Sequence, residues 1–187
     1  MKKIQYGFTL LELMVTVAIV GIIATIALWN SSDMLEENRA ENFLLELKRN
    51  ISYARSQAAT NDEIVVVCPA PNNEVKTSND KLACQSDWGS TNMIILFVDI
   101  DNDGEYGKLP DNLLRVMAAI PANDTLNYTG NINNLSFNTS GRITTSPGDF
   151  IYCPNSDNKN NKVLTVSQSG TAFYLGDGDG THECLLK

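Results

Sequence analysis

FTLLELMVTVAIVGIIATIALW, residues 8–29, carries a single charge, Glu12, in 22 positions. As a helix rising about 1.5 Å per residue it reaches roughly 33 Å, close to the roughly 30 Å hydrocarbon thickness of a bilayer. The stretch is long enough to cross a membrane. Lys2 and Lys3 precede it, so the positive-inside rule keeps the N-terminus in the cytoplasm and sends everything after Trp29 out of it. A cleaved secretory signal has a similar basic start, but its apolar region runs only about 7 to 15 residues and ends in a small-x-small site. Here Ala24 and Ala27 are three apart, which makes a poor site. Glu12 also argues for a different role, because a carboxylate at a membrane centre costs about 2.5 to 3.5 kcal/mol and requires a partner.

Outside that stretch the sequence is that of a soluble protein. The chain has 187 residues, 14 Lys+Arg against 22 Asp+Glu, a net charge of −8 and 43% hydrophobic residues. That suits one globular domain with one appendage and excludes a multidomain machine. Four cysteines fit a compartment where disulfides persist.

Residues 30–60 continue as a helix. Leu44, Leu47, Ile51, Ala54 and Ala58 recur at spacings of three and four, while Glu41, Glu46, Lys48, Arg49 and Arg55 take other positions. One stripe can therefore lie on a core. Asn30, Ser31, Ser32 and Asp33 are weak helix formers that can cap a fresh helix or bend the preceding one. From Asp62 the pattern shortens to β-like runs: Glu63 to Cys68, Met93 to Val98, Leu113 to Ile120, Leu135 to Asn138, Phe150 to Cys153, Val163 to Gln168 and Thr171 to Leu175. Segments 69–80, 99–107, 122–133 and 155–161 are rich in Asn, Asp, Gly or Pro and are expected to be loops. The expected fold class is α+β, with a long helix beside a mostly antiparallel sheet.

The heptapeptide Gly7-Phe8-Thr9-Leu10-Leu11-Glu12-Leu13 resembles the class III signal of type IV prepilins and type II secretion pseudopilins. The resemblance implies a type IV pilin-like fold. It also implies a dedicated prepilin peptidase that cuts after Gly7 and methylates Phe8, the new N-terminus. By the same resemblance, Glu12 pairs with a neighbouring subunit's N-terminal amine. The physics agrees, since a buried carboxylate and a buried ammonium are each costly alone but can together set register. The expected organisation is a cleaved leader over 1–7, a membrane and assembly helix over 8–29, its amphipathic continuation over 30–60, and a periplasmic or extracellular head over 61–187.

The head adds a narrower likeness. Tyr53-Ala54-Arg55-Ser56-Gln57-Ala58, then Val65-Val66-Val67-Cys68-Pro69, Trp88, and Phe97-Val98-Asp99 followed by Asp101-Asn102-Asp103-Gly104 are similar to the pseudopilin H, FimT and FimU minor pilin group. That group implies a structural subunit which primes assembly at or near the tip of a type IV pilus, with other minor pilins and the major pilin as partners. It is stored in the inner membrane before it enters the fibre at the cell surface. The alternatives are the tip of a type II secretion pseudopilus, a DNA-uptake receptor and a calcium-dependent adhesive tip subunit.

Charge weighs against DNA. Residues 60–187 hold 8 Lys+Arg and 16 Asp+Glu, and an acidic head repels a phosphate backbone. DNA-binding members of the group resemble Gly-Arg-x-Arg near the end, where this chain reads Gly170-Thr171-Ala172-Phe173; Gly141-Arg142 supplies one arginine only.

Four cysteines allow three pairings, and none of the spacings forms a metal knuckle. Local pairing is the reading adopted: Cys68 with Cys84, enclosing 15 residues (84 − 68 − 1) and worth about 3 kcal/mol by loop entropy, and Cys153 with Cys184. A metal site would need His182, the only histidine, with cysteines from distant segments. Asp99, Asp101 and Asp103 ahead of Gly104 match the first half of a calcium-binding EF-hand loop, but position twelve falls on Pro110. Asp177-Gly178-Asp179-Gly180 is shorter. Tight turns use the same residues, and turn chemistry is preferred to calcium; no cofactor is expected. With one histidine and no phosphate-cradling loop, nothing assembles a nucleophile and base, so no enzymatic activity is expected.

Overall fold

The computed structural model describes residues 8–29, 31–77, 80–89, 91–130 and 133–184, with side chains at 27–29, 31 and 32 excepted. The chain divides into two units, Met1–Glu36 and Glu37–Lys187.

The first unit holds helix α1 (Leu10–Trp29) and the start of helix α2 (Ser31–Asn61). Thr9 caps α1, its Oγ1 accepting the Glu12 amide at 3.2 Å, which satisfies one of the four amides a helix start leaves free. Thr16 and Thr25 donate their hydroxyls to the Leu13 and Ile22 carbonyls at 2.9 and 2.8 Å. The hydroxyls of α1 are thus used within the helix, and apart from the Glu12 carboxylate its described outer surface is largely apolar. Asn30 lies outside the described residues, so the junction expectation there is not addressed. Among the described residues no helix is long and apolar enough to cross a membrane; the described side chains of α1 stop at Ile26, inside the 8–29 stretch.

The second unit is built on the rest of α2. Ala40, Leu44, Leu47, Ile51, Ala54 and Ala58 are fully buried, which is the expected stripe extended one step toward the N-terminus. Two antiparallel sheets supply its cover. One has strand order β5-β3-β1-β7, from β1 (Val65–Pro71), β3 (Asn92–Val98), β5 (Asn112–Met117) and β7 (Leu135–Phe137); the other has order β10-β9-β8-β6, from β6 (Thr125–Tyr128), β8 (Gly148–Cys153), β9 (Lys162–Val166) and β10 (Ala172–Asp177). A short pair, β2 (Lys81–Leu82) and β4 (Tyr106–Gly107), and a helical turn, α3 (Asn72–Thr77), complete the head.

Burial explains the sequence pattern. Val65 and Val67 of β1, with Ile94, Leu96 and Val98 of β3, join the α2 stripe, and Phe150, Tyr152, Leu164, Val166 and Ala172 reach it from the second sheet. Val66, Cys68 and Ala70, with Ile95 and Phe97, point the other way into a smaller core with Leu82 and Tyr106. β1 is covered on both faces, so it reads as a continuous apolar run instead of an alternating one. Gly141 and Gly170, both at positive φ, let two turns sit on the end of α2. A Cβ on Gly141 would come within 3.1 Å of Arg55 Cγ, and one on Gly170 within 2.4 Å of the Gly141 carbonyl.

The seven expected strands all form, with shifted ends. β1 runs on to Pro71, and β5 stops at Met117, short of Ile120. Three expectations are corrected. Within 69–80, Asn72–Thr77 is helical rather than loop, within 99–107 strand β4 pairs with β2, and within 122–133 strand β6 pairs with β8. β6 reads Thr-Leu-Asn-Tyr, and only tertiary pairing selects a strand from so short and polar a run.

Candidate functional site

The residues expected to drive assembly lie at the start of α1. Gly7 is outside the described residues. Phe8 is exposed just ahead of the helix. Glu12 occupies the third helical position, with its amide on Thr9, and its carboxylate has no partner among the described residues. Thr9-x-x-Glu12 has a capping-box spacing, of which the Thr9 hydroxyl supplies its half by accepting the Glu12 amide. Leu10, Leu13, Val17, Ile19, Val20, Ile23 and Ile26 are all exposed. Nothing in the chain's first unit covers them.

In the head, the structure joins Cys68 to Cys84 and Cys153 to Cys184, with Cα separations of 5.5 and 6.1 Å. All four cysteines are used in these bonds, so none is available to a metal with His182. The histidine lies 2.7 Å from Asp179 and 3.6 Å from Asp149, fastening the last turn to β8.

Asp99, Asp101 and Asp103 do come together, and Asp111, which the spacing argument missed, joins them; one oxygen from each lies within 4.8 Å of the others. Asp99 accepts the amides of Asp103 and Gly104 at 3.2 and 3.0 Å, and Asp111 accepts those of Ile100 and Gly107 at 2.9 and 2.7 Å. Both buried carboxylates therefore serve as turn formers. Burial, reinforced by the charge of Asp111, raises the Asp99 pKa above the usual carboxylate value against the pull of its amide bonds. The four acids are the residues that could hold a hard cation such as calcium. Asp177 and Asp179 are engaged elsewhere: Asp177 pairs with Lys162, and Asp179 accepts the Thr181 amide at 2.9 Å.

A buried network ties α2 to the second sheet, and no motif signalled it. Asp124 pairs with Arg39 at 2.7 Å, accepts the Tyr152 hydroxyl at 2.5 Å and takes the Asn155 amide at 3.0 Å. Desolvation first, and then the Asp124 charge, push the Tyr152 phenol well above its ordinary value. Lys162, also buried, pairs with Glu37 at 2.7 Å as well as with Asp177.

A family model described as type II transport protein GspH matches residues 45–170, and one described as the prokaryotic N-terminal methylation motif matches residues 2–28. A search of curated proteins found no match. The chain resembles two crystal structures of the Pseudomonas aeruginosa type IV minor pilin FimU. The first is 19% identical with a TM-score of 0.59, covering 81% of this chain and 99% of that one. The second is 18% identical with a TM-score of 0.56, covering 78% and 99%. It also matches the minor pseudopilin EPSH from the type II secretion system of Vibrio cholerae, at 10% identity and a TM-score of 0.48 over 77% of this chain and 98% of that one. The FimU likeness is one of fold, a helix packed on antiparallel sheet. An N-terminal methylation motif followed by this helix and head belongs together: the chain is a member of the type II transport protein GspH family, a family of pilin and pseudopilin subunits.

Proposed function

We propose that the protein is a minor type IV pilin that waits in the inner membrane with its head in the periplasm and then helps prime the fibre at or near its tip. The observation that carries this reading is α1. Its described apolar side chains are exposed on every side, and Glu12 stands among them with no partner among the described residues. Lipid can cover the side chains, but only another subunit can offer both an apolar helix surface and a positive charge for Glu12. Prepilin peptidase would cut between Gly7 and Phe8 and methylate Phe8. The work is assembly, without catalysis and without nucleic acid, since a head with 8 Lys+Arg against 16 Asp+Glu repels a phosphate backbone. Asp99, Asp101, Asp103 and Asp111 act as turn formers in this reading. Adding calcium to the full chain is expected to leave its melting temperature unchanged, and a calcium-dependent rise would assign them to a cation instead.

The match of residues 45–170 to the type II transport model favours a second reading, a pseudopilin at the tip of a type II secretion pseudopilus. A strain lacking the chain separates the two. Loss of surface pili with protein secretion intact, restored by wild type and not by Glu12→Ala, is the expected result. Intact pili with lost secretion would move the chain to the secretion machine.

A further inference from the structure

Strand β10 closes one side of the second sheet, with β9 as its only strand neighbour among the described residues. The amide of Ser167 bonds the Thr171 carbonyl at 3.0 Å, which sets the alternation: Thr171 and Phe173 turn their main-chain groups toward β9, and Ala172 and Tyr174 turn theirs away. Ala172 is buried and Tyr174 half-buried, and no described strand pairs with β10 on the side away from β9. Natural sheet edges are usually guarded by a lysine, a proline or a covering loop. The run Ala172–Asp177 contains neither residue, and its guard is the register shift between Tyr174 and Gly176, which limits regular pairing to the stretch before it.

The side chains make the edge more than an accident of topology. Phe173 and Leu175 alternate with the inward Tyr174 and are 52% and 56% exposed. On the opposite face of the strand, where Tyr174 turns toward α2, the rim is acidic. Asp177 and Glu37 have side chains 82% and 51% exposed, while Lys162, the cation they share, is 5% exposed, and Glu41 is close enough for its charge to act on Tyr174. The carboxylates therefore face outward and the balancing ammonium faces inward.

We propose that β10 is a docking edge that receives an extended strand, carrying basic and apolar residues, from a different subunit of the fibre. Open main-chain groups supply the pairing, Phe173 and Leu175 the apolar anchors, and the acidic rim the choice of partner. A second copy of this chain is the poorer occupant, since each copy brings the same acidic rim and a net charge of −8. The inference rests on the fibre-subunit reading above.

The test uses the full chain in piliated cells. A photo-crosslinking phenylalanine replaces Phe173 or Leu175, with Leu109, 91% exposed on the loop before β5, as control. The expected product from 173 and 175 is an adduct with a Lys- or Arg-bearing strand peptide of another fibre subunit, identified by mass spectrometry. Self-adducts only, or no subunit adduct from these positions, would overturn the proposal. In parallel, Phe173→Ser with Leu175→Ser is expected to lower recovery of the chain in sheared fibres about tenfold at an unchanged membrane level, and wild-type recovery would overturn it. Glu12→Ala distinguishes the two failures. If it abolishes recovery while the β10 variant does not, the docking edge alone falls; if neither changes recovery, the fibre-subunit reading falls with it.

Discussion

Helices α1 and α2 follow one another in the chain and bury their apolar residues in opposite ways. In α2 the stripe Ala40, Leu44, Leu47, Ile51, Ala54 and Ala58 is fully buried by the head, while Met34 and Leu35 ahead of it stay exposed. In α1 the apolar positions fall on all sides, and those described are exposed. A stripe is a contract with one's own chain; an apolar cylinder is completed by other molecules. The difference predicts where the same kind of mutation will be felt. Leu47→Ala should cost the head about 2 to 5 kcal/mol, the usual loss for emptying a fully packed leucine site. Ile19→Ala should move the melting transition by less than about 0.5 kcal/mol, and yet be the more damaging of the two for recovery in fibres relative to membrane level. Equal effects on melting would break the comparison.

The disulfides sharpen it, because both lie in the second unit. Replacing Cys68 and Cys84 together by serine should cost about 3 kcal/mol by loop entropy. The Cys153–Cys184 pair spans a separation of 31 against 16, and a doubled loop adds only about 0.6 kcal/mol. Melting of the full chain with and without reductant reads both. Membrane level of α1-directed insertion should stay the same, so loss of insertion in either double variant would show that the two units are not independent in this respect.

Next in size is the Asp124 network. Asp124→Asn keeps the shape and removes the charge that Arg39 pairs with; about 1.5 to 3 kcal/mol is expected for lost hydrogen bonds to a charged group. Chemical denaturation measures it, and a neutral result would mean that the Tyr152 and Asn155 bonds survive on the amide alone.

These three regions were unequally legible in the sequence. The α2 stripe could be read from spacing alone, because Leu44, Leu47 and Ile51 repeat with the helical period and the head needs a face to pack on. The β1 and β3 strands could be read from their β-branched runs. Their second core, with Tyr106 and Leu82, could not, because a residue covered on both faces leaves no alternation to count. The turn acids were half legible. Asp99, Asp101 and Asp103 stood out as a spacing, but Asp111 reaches them only because Ile100 and Gly107 offer it their amides. Asp124 carried no signal at all. A lone aspartate after Pro121-Ala122-Asn123 looks like a turn residue, and its partners Arg39 and Tyr152 are 85 and 28 positions away. Thr9 was in view inside the signal heptapeptide, yet its capping role became visible only with the helix start in place.

The smallest expected effect lies at the far end of the head, in the turn that follows β10. Asp179 is held there by the Thr181 hydroxyl and amide and then by His182, which lower its pKa from 3.8 to about 2. A carboxylate lowered in this way adds stability above its ordinary value, and that stability is lost as the pH falls through about 2. The group is fully exposed, so salt should screen its contact with His182, and the global melting curve should not register the change. The reporter is local. Hydrogen exchange or the chemical shift of the Thr181 amide should change with a midpoint near pH 2, while amides of the buried α2 stripe stay constant over the same range. A Thr181 midpoint near 3.8 would mean that the turn exerts no hold on Asp179. Residues 181–184 would then be held by the Cys153–Cys184 bond, the His182 contact with Asp149 and the Asn161 bond to the His182 carbonyl, and no longer by the kind of turn chemistry that fixes Asp99 and Asp111 on the other sheet.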